Sequence, residues 1–202
     1  MRRIDFQRAM VAGHPGGAPR VPGEYGVWIV LFGDMMIFAV IFATFLHYRT
    51  RDLSGFVYSS RQLSQELGAL NTVVLLSSSF LVACAVRSFR VPRARRTAPA
   101  LIRGGLVLGA VFCVIKIVEY VDKLSRGITP ATGDFWMFFY VLTGLHLVHL
   151  LGGMAVLWFL LRISRQDELP ANRMVLVECG ALYWHMVDLL WVEIFPLLYL
   201  LR

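Results

Sequence analysis

Five apolar blocks, each long enough to cross a lipid bilayer, leave this chain few folds to choose from. They fall at about residues 25–48, 69–89, 101–121, 135–161 and 175–201. A helix needs about 20 apolar residues to cross a bilayer. Hydrophobic residues make up 57% of the 202 and charged residues only 16%, and the apolar ones run in continuous stretches, not in the short periodic patterns of a soluble domain. The expected fold is all-α: a polytopic bundle of five transmembrane helices occupying residues 25–202. Residues 1–24 contain Arg2, Arg3, Arg8 and Arg20 among Pro15, Gly16, Gly17 and Pro19. They lack the apolar core of a signal peptide and read as a flexible basic tail on the cytoplasmic side.

Positive charge sets the expected orientation, because Lys and Arg are retained on the cytoplasmic side of short loops. The tail, the second loop (Arg87, Arg90, Arg93, Arg95, Arg96, Arg103) and the fourth loop (Arg162, Arg165, Arg173) together hold 13 basic residues. The opposite side holds six: Arg49, Arg51, Arg61, Lys123, Arg126 and Arg202. The N-terminus is therefore expected in the cytoplasm. The net charge of +7 follows from this topology and from attraction to anionic lipid, so no nucleic-acid partner is needed to explain it. The connection over residues 49–68, rich in Ser and Gly, reads as a surface link.

Three cysteines, Cys84, Cys113 and Cys179, stand singly in different spans, a spacing that suits neither a disulfide pair nor an iron–sulfur cluster. The polar residues inside the spans are more informative, since ionisable groups in hydrocarbon are costly and mark sites of function or pairing. Asp34 is the one formal charge in GVWIVLFGDMMIFAVIFATF (26–45), near mid-membrane. It is either a buried packing carboxyl or a proton-handling or lipid-contacting group. In KIVEYVDKL (116–124), Lys116, Glu119, Tyr120 and Lys123 share one helix face, and Glu119 is placed to pair with either lysine. Gly105 and Gly109 form a GxxxG that allows close helix approach.

In LTGLHLVHLLGG (142–153), Thr143, His146, His149 and Gly153 step along one face. Two histidines one turn apart can share a metal, so a free-standing metal or haem protein using His146, His149 and His185 is one reading. Helix-to-helix hydrogen bonds are the other. The fifth block carries YWHMVDLLW (183–191). Glu178, His185 and Asp188 lie in one arc expected to face protein, with Glu193 on its shoulder, and Trp184, Trp191 and Tyr199 able to fill helix grooves or sit near an interface. His185 and Asp188 read as a polar clasp, and with Asp34 and His146 they outline one polar seam. A small transporter is a third class, but no symmetrical pair of broken helices supports it.

Four segments in order, LNTVVLLSSSFLVACA (70–85, with Asn71), KIVEY (116–120), TGLHLVHLLGG (143–153) and YWHMVDLLW (183–191), resemble subunit III of the haem–copper oxidases. The likeness covers about residues 22–202 and is to the short, five-helix bacterial form. The opening PGEYGVWIVLFGDM (22–35) and the ending WVEIFPLLYLL (191–201) resemble the branch associated with nitric oxide reductase.

The resemblance implies an accessory component that is not catalytic alone, in a respiratory electron-transport complex of the bacterial cytoplasmic membrane. It implies no catalytic, cofactor-binding or metal-binding residues in this chain. Haem and copper or iron are expected in a large catalytic partner subunit, and bound phospholipid is expected in a cleft between helices. It further implies support for that partner's stability and for proton uptake. Carried over by motif, Asp34 stands where the family usually has a glutamate one methylene longer. Glu119 and Tyr120 match its Glu-Tyr pair, with Lys116 where many members have glutamine. His146 matches the TGxH histidine, and Trp184, His185 and Asp188 match WHxxD. Asn71, His149 and Glu178 complete the set of polar positions expected to serve structure, lipid or protons.

Overall fold

A computed structural model describes residues 24–91, 94–164 and 171–201; the tail expected over residues 1–24 lies outside the described residues except for Glu24. Every long apolar block is a helix. These are α1 (Tyr25–Arg51), α3 (Gln65–Arg90), α4 (Ala98–Ser125), α5 (Asp134–Ile163) and α6 (Ala171–Phe195), and α6 continues as a π turn over Pro196–Leu200. All five spanning segments are long and apolar enough to cross a membrane, and the chain is a multi-pass membrane protein.

Local chemistry sets the ends. The Ser64 hydroxyl accepts from the Leu67 amide at 3.4 Å, capping α3 four residues ahead of the expected start. Pro99 sits in the first turn of α4, where its missing N–H leaves nothing unbonded. Arg49 and Arg51 close α1, and Arg87 and Arg90 close α3, where basic side chains complement the helix dipole.

The expected surface link contains a helix of its own, α2 (Leu53–Ser60). It starts because the Asp52 carboxylate accepts from the Gly55 amide at 3.0 Å. It stays because Phe56 is buried with its ring edge-on to Phe45 and Phe135, at 5.3 and 5.7 Å between centroids.

Helices α3, α4, α5 and α6 form a closed ring in which each packs on the next and α6 returns to α3, while α1 leans on the outside against α5 and α6. The ring closes tightly where side chains are smallest. Gly105 of α4 lies against Val82 and Ser78, Gly109 against Trp184 and Met154, and Gly153 of α5 against the Trp184 ring. The GxxxG is thus a contact of close approach, as its spacing suggests. Trp184, Trp191, Tyr199, Phe112 and Phe139 fill the interior without solvent contact.

Candidate functional site

The interior of the ring holds a line of polar groups, and its centre is ionic. Lys116 Nζ donates to Glu119 Oε2 at 2.6 Å. The Tyr199 hydroxyl lies 2.8 and 2.9 Å from the two Glu119 oxygens, and 3.1 Å from Lys116 Nζ. A hydroxyl has one hydrogen, which it gives to the carboxylate while its lone pair receives the ammonium. Around this triad stand four rings, Phe139, Trp191, Tyr120 and Tyr199, with centroids 4.9 to 5.8 Å from Nζ. Lys116 is 1% and Glu119 4% exposed. A desolvated ammonium is stabilised by the faces of aromatic rings, and a buried ion pair survives when hydrogen bonds complete it.

The π turn makes the triad possible. Proline has no N–H to give the carbonyl four residues back, so the ladder widens after Phe195, and the Leu201 amide bonds to Pro196 O at 3.0 Å. Gly68 of α3 leaves the room for this: a Cβ there would sit 2.7 Å from the Phe195 ring and 3.0 Å from Tyr199. Gln65 Nε2 then fixes the turn by donating to Tyr199 O at 2.9 Å. The signal for Tyr199 as a site residue is the proline three positions before it; helical spacing alone reads it as filling a groove or sitting near an interface.

The second lysine departs from the expected pairing. Lys123 Nζ donates to Gln62 O at 2.9 Å and to Asp122 Oδ2 at 3.1 Å, so Glu119 takes only Lys116. Next to Glu119 in the chain, the Tyr120 hydroxyl bonds to Thr143 Oγ1 at 2.6 Å, joining α4 to α5.

His146 and His149 face different neighbours. His146 Nε2–H donates to Val187 O of α6 at 3.1 Å, and its Nδ1 is buried without a partner. His149 Nδ1–H donates to Leu145 O at 2.8 Å, which turns Nε2 toward Asp34 Oδ2 at 3.6 Å. That separation suits an ion pair but is too long for a hydrogen bond. Asp34 therefore joins His149, not His146, and forms a second polar site apart from the interior line. Phe38 covers one side of it, edge-on to His149 at 5.6 Å, and the Tyr183 hydroxyl reaches His149 O at 3.4 Å.

His185 and Asp188 are not bonded to each other. His185 Nδ1 meets the Ser79 hydroxyl of α3, so the histidine clasps two helices. Both oxygens of Asp188 are buried without a hydrogen bond of normal geometry, although the Ser79 hydroxyl lies beside them. Trp191 Nε1 adds a bond to Thr72 Oγ1 at 3.1 Å, and at the far end of α3 Arg90 pairs with Glu178 at 2.9 Å. Asn71 is buried in α3 with its Oδ1 unpartnered. Trp184 is buried in the ring, its Nε1 likewise without an acceptor. Glu193 is exposed and leaves the protein-facing arc assigned to it. Among the described residues, no three His, Cys, Asp or Glu side chains converge as a metal set.

On the outer side, α1 stands off the ring and leaves an apolar groove of about 400 Å³ against α5 and α6. Gly26, Val30 and Leu31 form one wall, Val156, Phe159 and Leu160 the second, and Leu176, Gly180 and Tyr183 the third. The groove thus runs along α1 to the tyrosine that touches the Asp34–His149 pair.

A family model described as cytochrome c oxidase subunit III matches residues 9–201. The probable quinol oxidase subunit 3 of Staphylococcus epidermidis is 30% identical over 181 residues, covering 88% of each chain. The quinol oxidase subunit 3 of Bacillus spizizenii is 30% identical over 177 residues, 87% of this chain and 85% of the relative. The probable quinol oxidase subunit 3 of Staphylococcus aureus is 30% identical over 185 residues, again with 88% of each covered.

Proposed function

The chain belongs to the cytochrome c oxidase subunit III family, and from that membership we propose that it is an accessory subunit of a membrane respiratory oxidase. Its partner is a large catalytic subunit that holds the haem and the copper or iron. The observation that carries this reading is how the motif residues are used. Glu119, Tyr120, His146 and His185 each bond a group on another helix or helix extension of the same chain, which suits a scaffold better than a ligand set. The names of the relatives favour quinol as the electron source of the complex. The N-terminus faces the cytoplasm, on the side favoured by the basic residues, and the membrane is the bacterial inner membrane.

Two finer roles have support in particular residues. The groove beside α1 has the shape and apolar walls to hold a phospholipid acyl chain. The Asp34–His149 pair, a carboxylate facing an imidazole at the end of that groove, suits proton supply to the neighbouring subunit.

Deleting the chain from its host tests the accessory reading. Membranes without it should retain haem bound to the catalytic subunit, while oxidase yield and the persistence of turnover fall. Loss of a chromophore stoichiometric with this chain would instead make its histidines ligands. Consumption of nitric oxide in place of oxygen by the same membranes would assign the complex to the nitric oxide reductase branch.

A further inference from the structure

Most of the outer surface of the bundle suits lipid. The outward side of α4 shows Val107, Val111, Val114 and Val118. One outward face of α6 does not follow this pattern. Leu189 is 48% and Val192 39% exposed, and beside them Glu193 is exposed with no hydrogen bond or ion pair among the described residues. The neighbouring backbone adds to this, because Pro196 has no N–H for the Val192 carbonyl.

Depth decides what this means. Gln65 bonds to Tyr199 O, so Tyr199 lies level with the first residue of α3. Glu193 is six residues earlier on α6, about 9 Å deeper at about 1.5 Å per residue. Helix α3, at 26 residues, is roughly 39 Å long, and a hydrocarbon core of about 30 Å centred on it begins about 4.5 Å below its end. The Glu193 backbone is therefore about 4 to 5 Å inside hydrocarbon. Long Lys and Arg side chains reach back to the interface from such depths, but two methylenes give a carboxylate little reach.

We propose that the α6 face around Leu189, Val192 and Glu193 is an intramembrane docking surface. Its occupant is a transmembrane helix of the catalytic subunit that presents an Arg or Lys to Glu193. The proposal rests on the accessory reading above. Opposite charge is the complement that an exposed intramembrane carboxylate selects, and a protein helix excludes the lipid tails that would otherwise surround it.

The test uses the full tagged chain in its native membranes, with a photo-crosslinking amino acid at Leu189 or, for comparison, at Val114 on the α4 face. Leu189 should crosslink to a large subunit, identified by mass spectrometry, and Val114 should not. In parallel, Glu193→Lys should lower the co-purified partner at least tenfold, and Glu193→Gln should lower it less. Crosslinks from Val114 but not Leu189, or full partner yield with Glu193→Lys, would overturn the docking face while leaving the accessory reading intact. No oxidase subunit co-purifying with the unmodified chain would overturn both.

Discussion

Separating Lys116 from Glu119 should reveal how far the interior triad stabilises the bundle. The two side chains are 2% and 4% exposed and 2.6 Å apart. Breaking a buried pair by removing one partner costs about 3 to 5 kcal/mol, whereas replacing both by apolar groups of similar volume is often neutral or stabilising. Lys116→Met leaves the Glu119 carboxylate with only the Tyr199 hydroxyl and should fall in that range. Glu119→Leu should cost less, because the stranded ammonium keeps the Tyr199 hydroxyl and four aromatic rings, each worth roughly 0.5 to 2 kcal/mol. The double variant should come back to within about 1 kcal/mol of the unmodified chain, giving a coupling of at least about 2 kcal/mol. The assay is reversible unfolding of the purified chain in mixed micelles. Additive effects, or single variants within about 1 kcal/mol of the parent, would refute the view that charge pairing holds the bundle centre.

Other perturbations separate packing, clasp and groove. Gly153→Ala places a Cβ 2.8 Å from the Trp184 ring and should destabilise by about 1 to 3 kcal/mol, while Gly26→Ala, with nothing within 4 Å, should leave the micelle unfolding curve unchanged. Ser79→Ala removes the α3–α6 clasp and should cost about 0.6 to 1.7 kcal/mol; Asp188→Asn puts an amide NH2 into a buried site where neither side-chain oxygen has a normal hydrogen bond, and should cost about 1 to 3 kcal/mol in the same unfolding assay. Gly180→Leu fills the groove beside α1, where a Cβ already meets Val156 and Leu160 at 2.8 Å. It should reduce phospholipid retained on purification, as measured by lipid mass spectrometry, and unchanged retention would remove the groove from consideration.

The spans were legible because a helix in lipid is written in composition, and composition survives without knowledge of neighbours. The boundaries fell short where a cap or a short polar stretch continued the helix, as Ser64 does for α3. Helix α2 is not legible in LSGFVYSS, which carries Gly and three Ser, because its stability comes from Phe56 meeting aromatic rings on α1 and α5. Helix spacing placed Lys116 with Glu119, an interaction within one helix. It gave no means of choosing partners across helices. Depth along the helices groups Asp34 with His146, yet the rotation of α1 against the ring brings it to His149. Tyr199 reaches Glu119 only because a proline widens the last turn, a change of phase that regular periodicity does not contain.

The central claim, that this chain serves a catalytic partner and does not itself carry the redox centre, is tested most directly by purifying it through a tag in mild detergent. The same fraction is examined by mass spectrometry and visible spectroscopy. The expected result is a large membrane subunit in stoichiometric yield, with a haem spectrum that stays with that subunit when the two are separated. A chain that comes alone and coloured, its haem or metal bound in proportion to its own amount, would contradict the account.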